Sequence, residues 1–237
     1  MYCRPYSFTV SRNAPVPVPE PRPAHLPPDA DMVATIRPAA GRRPEDAPSA
    51  RVFASRAAQC GDSRVPVPFW IHGGPDGSGG ASCSVRPAAP DVPDAPDARD
   101  ARDVYDVRTA EGVPLARITR RAGRLLPWPR RVRWSAQVTG APRPVTGRVG
   151  TWYAWLCYVV TAPVWFLFAL GAMVYAFFDG TADDWTFRRP ARTRWRAPGA
   201  GTVLDYRGVS RTYRSFPGRL DARVAYALAV LRSREDT

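Results

Sequence analysis

The sequence predicts a membrane protein that crosses a bilayer once by a single transmembrane helix, with a disordered N-terminal tail and small α+β flanking segments. Three observations predict this. From Val149 to Phe178 no residue carries a formal charge, which is long enough for a bilayer segment. Residues 1–103 hold 18 of the 27 prolines, a composition that disfavours a packed core. The net charge of +13 belongs wholly to residues 104–237, with 22 Arg against nine acids, whereas residues 1–103 balance 12 against 12. All 34 basic residues are Arg. With abundant Ala, Pro and Gly, this points to a GC-rich, bacterial genome.

Residues 1–103 read as a low-complexity tail rich in Pro, Ala, Arg and Asp. Stretches such as Val16–Pro28 and Pro87–Asp103 alternate Pro with small or acidic residues, lack amide donors and offer little apolar area to offset chain entropy. Met1–Pro23 contains no apolar run of a secretory signal.

Residues 104–148 read as a basic juxtamembrane segment. Val104–Arg120 looks like two strands about a turn at Glu111-Gly112, and Arg131–Val138 alternates, with Val132, Trp134, Ala136 and Val138 on one face.

Residues 151–178 read as the transmembrane helix. At 1.5 Å per residue they would span roughly 42 Å, enough to cross once with tilt and too little for two crossings. Trp152, Tyr153 and Trp155 at one end and Tyr175 and Trp185 at the other are the expected interfacial anchors. Pro163 should kink the helix.

Residues 179–237 read as a basic hairpin, Thr202–Arg207 and Val209–Arg214 about Gly208, then a helix over Leu220–Arg232 too short to span. Arginine counts on the two sides of the apolar stretch tie. Asp179, Asp183 and Asp184 after the helix, and the difficulty of exporting a long tail without a signal, place the N-terminus in the cytoplasm and the protein in the plasma membrane. The alternative topology is a re-entrant hairpin broken at Pro163, with both basic flanks on one side. Co-folding of strands from both flanks favours it.

Chemistry of other kinds is not indicated. His25 and His72 both lie in the tail, and Cys3, Cys60, Cys83 and Cys157 show no metal or redox spacing. Phe69–Pro75 looks superficially like an oxyanion loop, but no Gly-x-Ser-x-Gly elbow follows it. No cofactor, metal or catalytic residue is expected.

The loaded feature is arginine. Arg130, Arg131 and Arg133 on one flank, and Arg188, Arg189, Arg192, Arg194 and Arg196 on the other, are candidates for contact with anionic headgroups at about 1 kcal/mol each. Nucleic-acid phosphate would suit the same charges, but no reader module accompanies them, so nucleic acid is an unlikely partner.

Leu126–Trp134, Gly150–Trp155 and Phe187–Arg196 resemble uncharacterised membrane proteins of high-GC bacteria, a resemblance that implies no activity. The hairpin around Gly112 is similar to the sheets of the phospholipid-scramblase-like and tubby-like group, whose members bind lipid. The expected function is a non-enzymatic single-pass anchor or adaptor for an unknown protein partner. The alternative is an anionic-lipid-binding or lipid-handling module with the re-entrant hairpin.

Overall fold

A computed structural model describes residues 5–18, 26–39, 49–56, 68–73, 83–88, 102–121, 132–149, 160, 163–164, 167, 170–171, 192–208 and 210–234. Among them are twelve strands and one helix described along its whole length. The strands are β1 (Tyr6–Pro17), β2 (Ala30–Pro38), β3 (Ala50–Ser55), β4 (Phe69–Gly73), β5 (Cys83–Pro87), β6 (Arg102–Thr109), β7 (Pro114–Arg121), β8 (Arg133–Val138), β9 (Val145–Val149), β10 (Arg192–Ala197), β11 (Gly201–Arg207) and β12 (Thr212–Ser215), and the helix is α1 (Ala222–Ser233). Each strand pairs antiparallel with its sequence neighbours, and β12 pairs with β1 to close a barrel.

The barrel is filled by α1. At a spacing of about 4.8 Å and a typical tilt of about 40°, twelve strands enclose a cylinder roughly 24 Å across between backbones. One helix about 10–12 Å wide fits inside with a layer of wall side chains around it. The sequence divides bulk accordingly. The wall supplies Phe8, Trp134, Trp195 and Tyr213, all buried, while α1 carries Ala225, Ala227 and Ala229, also buried. Val224 to Arg232 are buried without interruption, because the helix touches β1, β4, β7 and β12 around the circumference. Its N-cap is Asp221, whose carboxylate accepts from the Arg223 amide at 2.8 Å. At its other end Arg12 donates to the Ser233 carbonyl. Midway, the Tyr213 hydroxyl donates to the Ala229 carbonyl at 3.1 Å.

The expected single-helix membrane protein with a disordered tail is thereby corrected. Five of the twelve strands lie before residue 100. Among the described residues Pro17, Pro38 and Pro87 stand at strand ends, and Pro15 lies in the irregular stretch of β1 between Arg12 and Val16, positions where a strand tolerates the missing amide. Between them, Phe8, Ile36, Val52, Phe53, Ile71 and Val85 are almost completely buried, and their apolar area offsets the entropy the tail reading left unopposed.

The transmembrane-helix reading is corrected in the same way: among the described residues no helix is long and apolar enough to cross a membrane. Within 151–178 the described residues are Val160, Pro163, Val164, Leu167, Leu170 and Gly171, all helical and exposed. The anchors Trp152, Tyr153, Trp155, Tyr175 and Trp185 lie outside the described residues. The flanks are also not two separate units. The segment between β9 and β10 leaves and re-enters neighbouring strands, with Val149 opposite Thr193.

Candidate functional site

Antiparallel order sorts the connections into two ends. At the end holding the helix N-terminus, β6–β7, β8–β9 and β10–β11 are joined by short turns, at 110–113, 139–144 and 198–200. The first turns at Gly112, whose φ of 88° suits a residue without Cβ. Segments 39–49 and 74–82 connect strands at this same end, whereas 18–29, 56–68, 88–101, 122–132 and 150–191 connect strands at the end where α1 finishes.

Near that end, the outer face of β7 to β10 carries arginine in register. Arg121 stands opposite Arg133, Arg133 opposite Arg148, and Arg148 opposite Arg194. Alternation explains why they point outward: their chain neighbours Trp134, Gly147 and Trp195 face the core. Like charges directly opposite one another destabilise a sheet by tenths of a kcal/mol per pair, on the order of the cross-strand scale. This ladder therefore works against stability.

Neighbouring arginines are neutralised in place. Arg120 meets Asp103 at 2.7 Å, and Arg117 meets Asp106 at 3.8 Å. Asp205 on β11, opposite Arg194, takes Arg192 as a two-pronged partner at 2.6 and 3.0 Å, with Arg194 at 3.6 Å and Arg207 at 3.8 Å. One nearly buried carboxylate thus holds three cations. By contrast, Arg121, Arg133 and Arg148 have no carboxylate partner among the described residues and are exposed.

One step along the strands, Thr119 faces Ser135, and Ser135 faces Thr146. These three hydroxyl residues, the three arginines, Trp134 and Gly147 line a groove of about 320 Å³ on the barrel's outer wall.

The end of α1 adds further positive charge. Arg232, buried, reaches Thr193 Oγ1 at 3.3 Å and lies 5.5 Å over the Tyr206 ring. Burial, and then the neighbouring Arg12, pushes the Arg234 guanidinium down to about 10, still protonated at neutral pH.

Of the headgroup candidates in the sequence, Arg133, Arg192, Arg194 and Arg196 are brought to one face by β8 and β10, on either side of β9. Arg130, Arg131, Arg188 and Arg189 lie outside the described residues. The ladder adds Arg121 and Arg148, and the groove adds the hydroxyl row. The signal for the latter was present in Val145-Thr-Gly-Arg-Val149, whose period of two marks a strand.

The outer surface of β7–β10, with Arg121, Arg133, Gln137, Arg148 and Arg194 outward and an apolar interior, is the reverse of a membrane-spanning barrel, whose outside is an apolar band. Among the described residues no group of His, Cys, Asp or Glu could hold a metal. Burial pushes the Cys83 thiol up to about 12, so it is not a nucleophile at neutral pH. Phe69 and Ile71 of the oxyanion-like motif are core residues of β4. No family model, curated protein or solved structure matches this chain.

Proposed function

We propose that the protein is an anionic-lipid-binding module that docks by the arginine ladder and inserts its uncharged segment re-entrantly from the same side. One observation carries the reading: the two ends of segment 150–191 spring from neighbouring strands, β9 and β10, beside Arg148 and Arg194. A hydrogen-bonded pair cannot be divided between two compartments, so both basic flanks meet one leaflet. Halving residues 151–178 gives two arms of about 21 Å if helical, which enter a hydrocarbon core of about 30 Å without crossing it.

Val160, Val164 and Leu167, each about two-thirds exposed, supply apolar area. The three ladder arginines without a carboxylate partner among the described residues, Arg121, Arg133 and Arg148, contribute roughly 3 kcal/mol near an anionic surface. Charge and an apolar insert together form the pair of signals that stable attachment requires.

The test is co-sedimentation of the full chain with phosphatidylcholine vesicles containing increasing phosphatidylglycerol. Binding should rise with the anionic fraction, fade with salt, and weaken in an Arg133→Glu/Arg148→Glu variant. Equal binding to neutral and anionic vesicles would sink the proposal. So would compartment reporters placed before Met1 and after Thr237 that report opposite sides of the membrane.

A further inference from the structure

The outer wall of β7–β9 holds more than a diffuse positive charge. Arg121, Arg133 and Arg148 stand side by side on three consecutive strands, and Thr119, Ser135 and Thr146 stand side by side on the same strands one outward position away. Neighbouring strands are about 4.8 Å apart, so the outer two arginines are roughly 10 Å apart at the backbone. Their long side chains can converge on one small group over Arg133. The two rows bound a single groove of about 320 Å³. None of the three guanidinium groups is neutralised by a carboxylate among the described residues, whereas Arg117, Arg120, Arg192 and Arg194 are.

Surface attraction alone does not account for this arrangement. Attraction to a charged plane needs cations near the plane, and does not need three of them in register beside a matching hydroxyl row and free of the acids that neutralise their neighbours. Guanidinium groups bind tetrahedral oxyanions through paired N–H donors, and hydroxyls donate to an oxygen left over.

We infer that this groove is a subsite for a phosphomonoester, the terminal phosphate group of a lipid headgroup or of a soluble phosphorylated molecule. A phosphomonoester presents three terminal oxygens and up to two negative charges, which suits three guanidinium groups and three hydroxyls. A phosphodiester presents two such oxygens and one charge, leaving part of the donor set unused. The inference deepens the proposed membrane docking and rests on it only where the phosphate is lipid-borne.

The experiment keeps the two apart. The full chain is titrated with vesicles containing either phosphatidic acid, a phosphomonoester, or phosphatidylglycerol, a phosphodiester, matched in surface charge. In parallel, the detergent-solubilised chain is melted in inorganic phosphate and in chloride at equal ionic strength. Phosphatidic acid should bind about tenfold tighter, equivalent to one good charge-assisted contact, and phosphate should raise the melting temperature above the chloride control. Ser135→Ala with Thr146→Val, which leaves every charge in place, should reduce the lipid preference toward parity.

If both vesicles bind equally and phosphate gives no shift, the subsite is overturned while docking by charge stands. If phosphate stabilises the chain but neither vesicle binds, the subsite stands with a soluble phosphorylated ligand, and the membrane reading fails. An unchanged preference in the hydroxyl variant would overturn the assignment of the donors.

Discussion

Gly147 offers the sharpest test of the barrel interior. It lies on β9 opposite Trp134 of β8 and Trp195 of β10, and both indoles are at most 2% exposed. A Cβ at this position would stand 2.5 Å from Cδ1 and 3.0 Å from Cε2 of Trp195, and closer still to Nε1. Comfortable carbon contacts begin near 3.5 Å, so the fully buried indole would have to move by about 1 Å. Overpacking of this kind costs up to about 3 kcal/mol. The smaller entropy of the unfolded Ala chain returns about 0.4–1 kcal/mol, leaving Gly147→Ala destabilised by about 2 kcal/mol. For a chain of this size that lowers the melting temperature by roughly 4–8 °C. The assay is thermal unfolding followed by tryptophan fluorescence, with a double-mutant cycle through Trp195→Phe, which trims the offending ring and should recover most of the loss. A melting temperature for Gly147→Ala equal to that of the parent, or an identical penalty in the Phe background, would refute the packing argument and with it the inward assignment of β9.

Other consequences are separable. Asp205→Asn leaves Arg192, Arg194 and Arg207 facing one another around a neutral amide, and a urea midpoint should show a loss of roughly 2–4 kcal/mol. Asp221 is held below its usual carboxylate range, first by the side-chain hydrogen bond from Arg223. Its stabilising contribution is complete above the unfolded value near 4 and fades as pH falls through the lowered folded value. Asn caps a helix as well as Asp, so Asp221→Asn loses only the partly exposed pair with Arg223 and the charge at the helix N-terminus; it should be less stable than the parent at neutral pH by about 0.5 kcal/mol, and denaturation curves of the two should converge in acid. Cys83, buried with its thiol pushed up to about 12, should resist maleimide in the native chain and react once denaturant is added, as read by peptide mass mapping. Labelling of Cys83 in the folded state would contradict its position inside the wall.

The local signals in the second half were legible in the sequence. The pair of strands about Gly112, the alternation from Val132 to Val138, the strands on either side of Gly208 and the helix ending at Arg232 correspond to β6–β7, β8, β11–β12 and α1, since each is written in a short window of period two or period 3.6. In the first half, strands of five to twelve residues are separated by segments at least as rich in Pro, Gly and Asp. β2 to β5 are moreover buried over consecutive residues, with Ala30, Phe53 and Trp70 in a second cluster apart from the barrel core, so they carry no period of two for a window to detect.

By itself, the sequence determined the cationic excess of the second half, the uncharged run after Val149, the concentration of basic charge in Arg, and the period of the locally patterned elements. Only the tertiary structure decided that Arg133 and Arg194 share one face with Arg148 between them, that both ends of the uncharged run meet at one strand pair, and that an apolar helix too short to span a bilayer is the core of a barrel. Periodicity is a property of neighbouring residues. Strand pairing is a contact between distant ones, and its register is set by the closure of twelve strands around a helix that no single window contains.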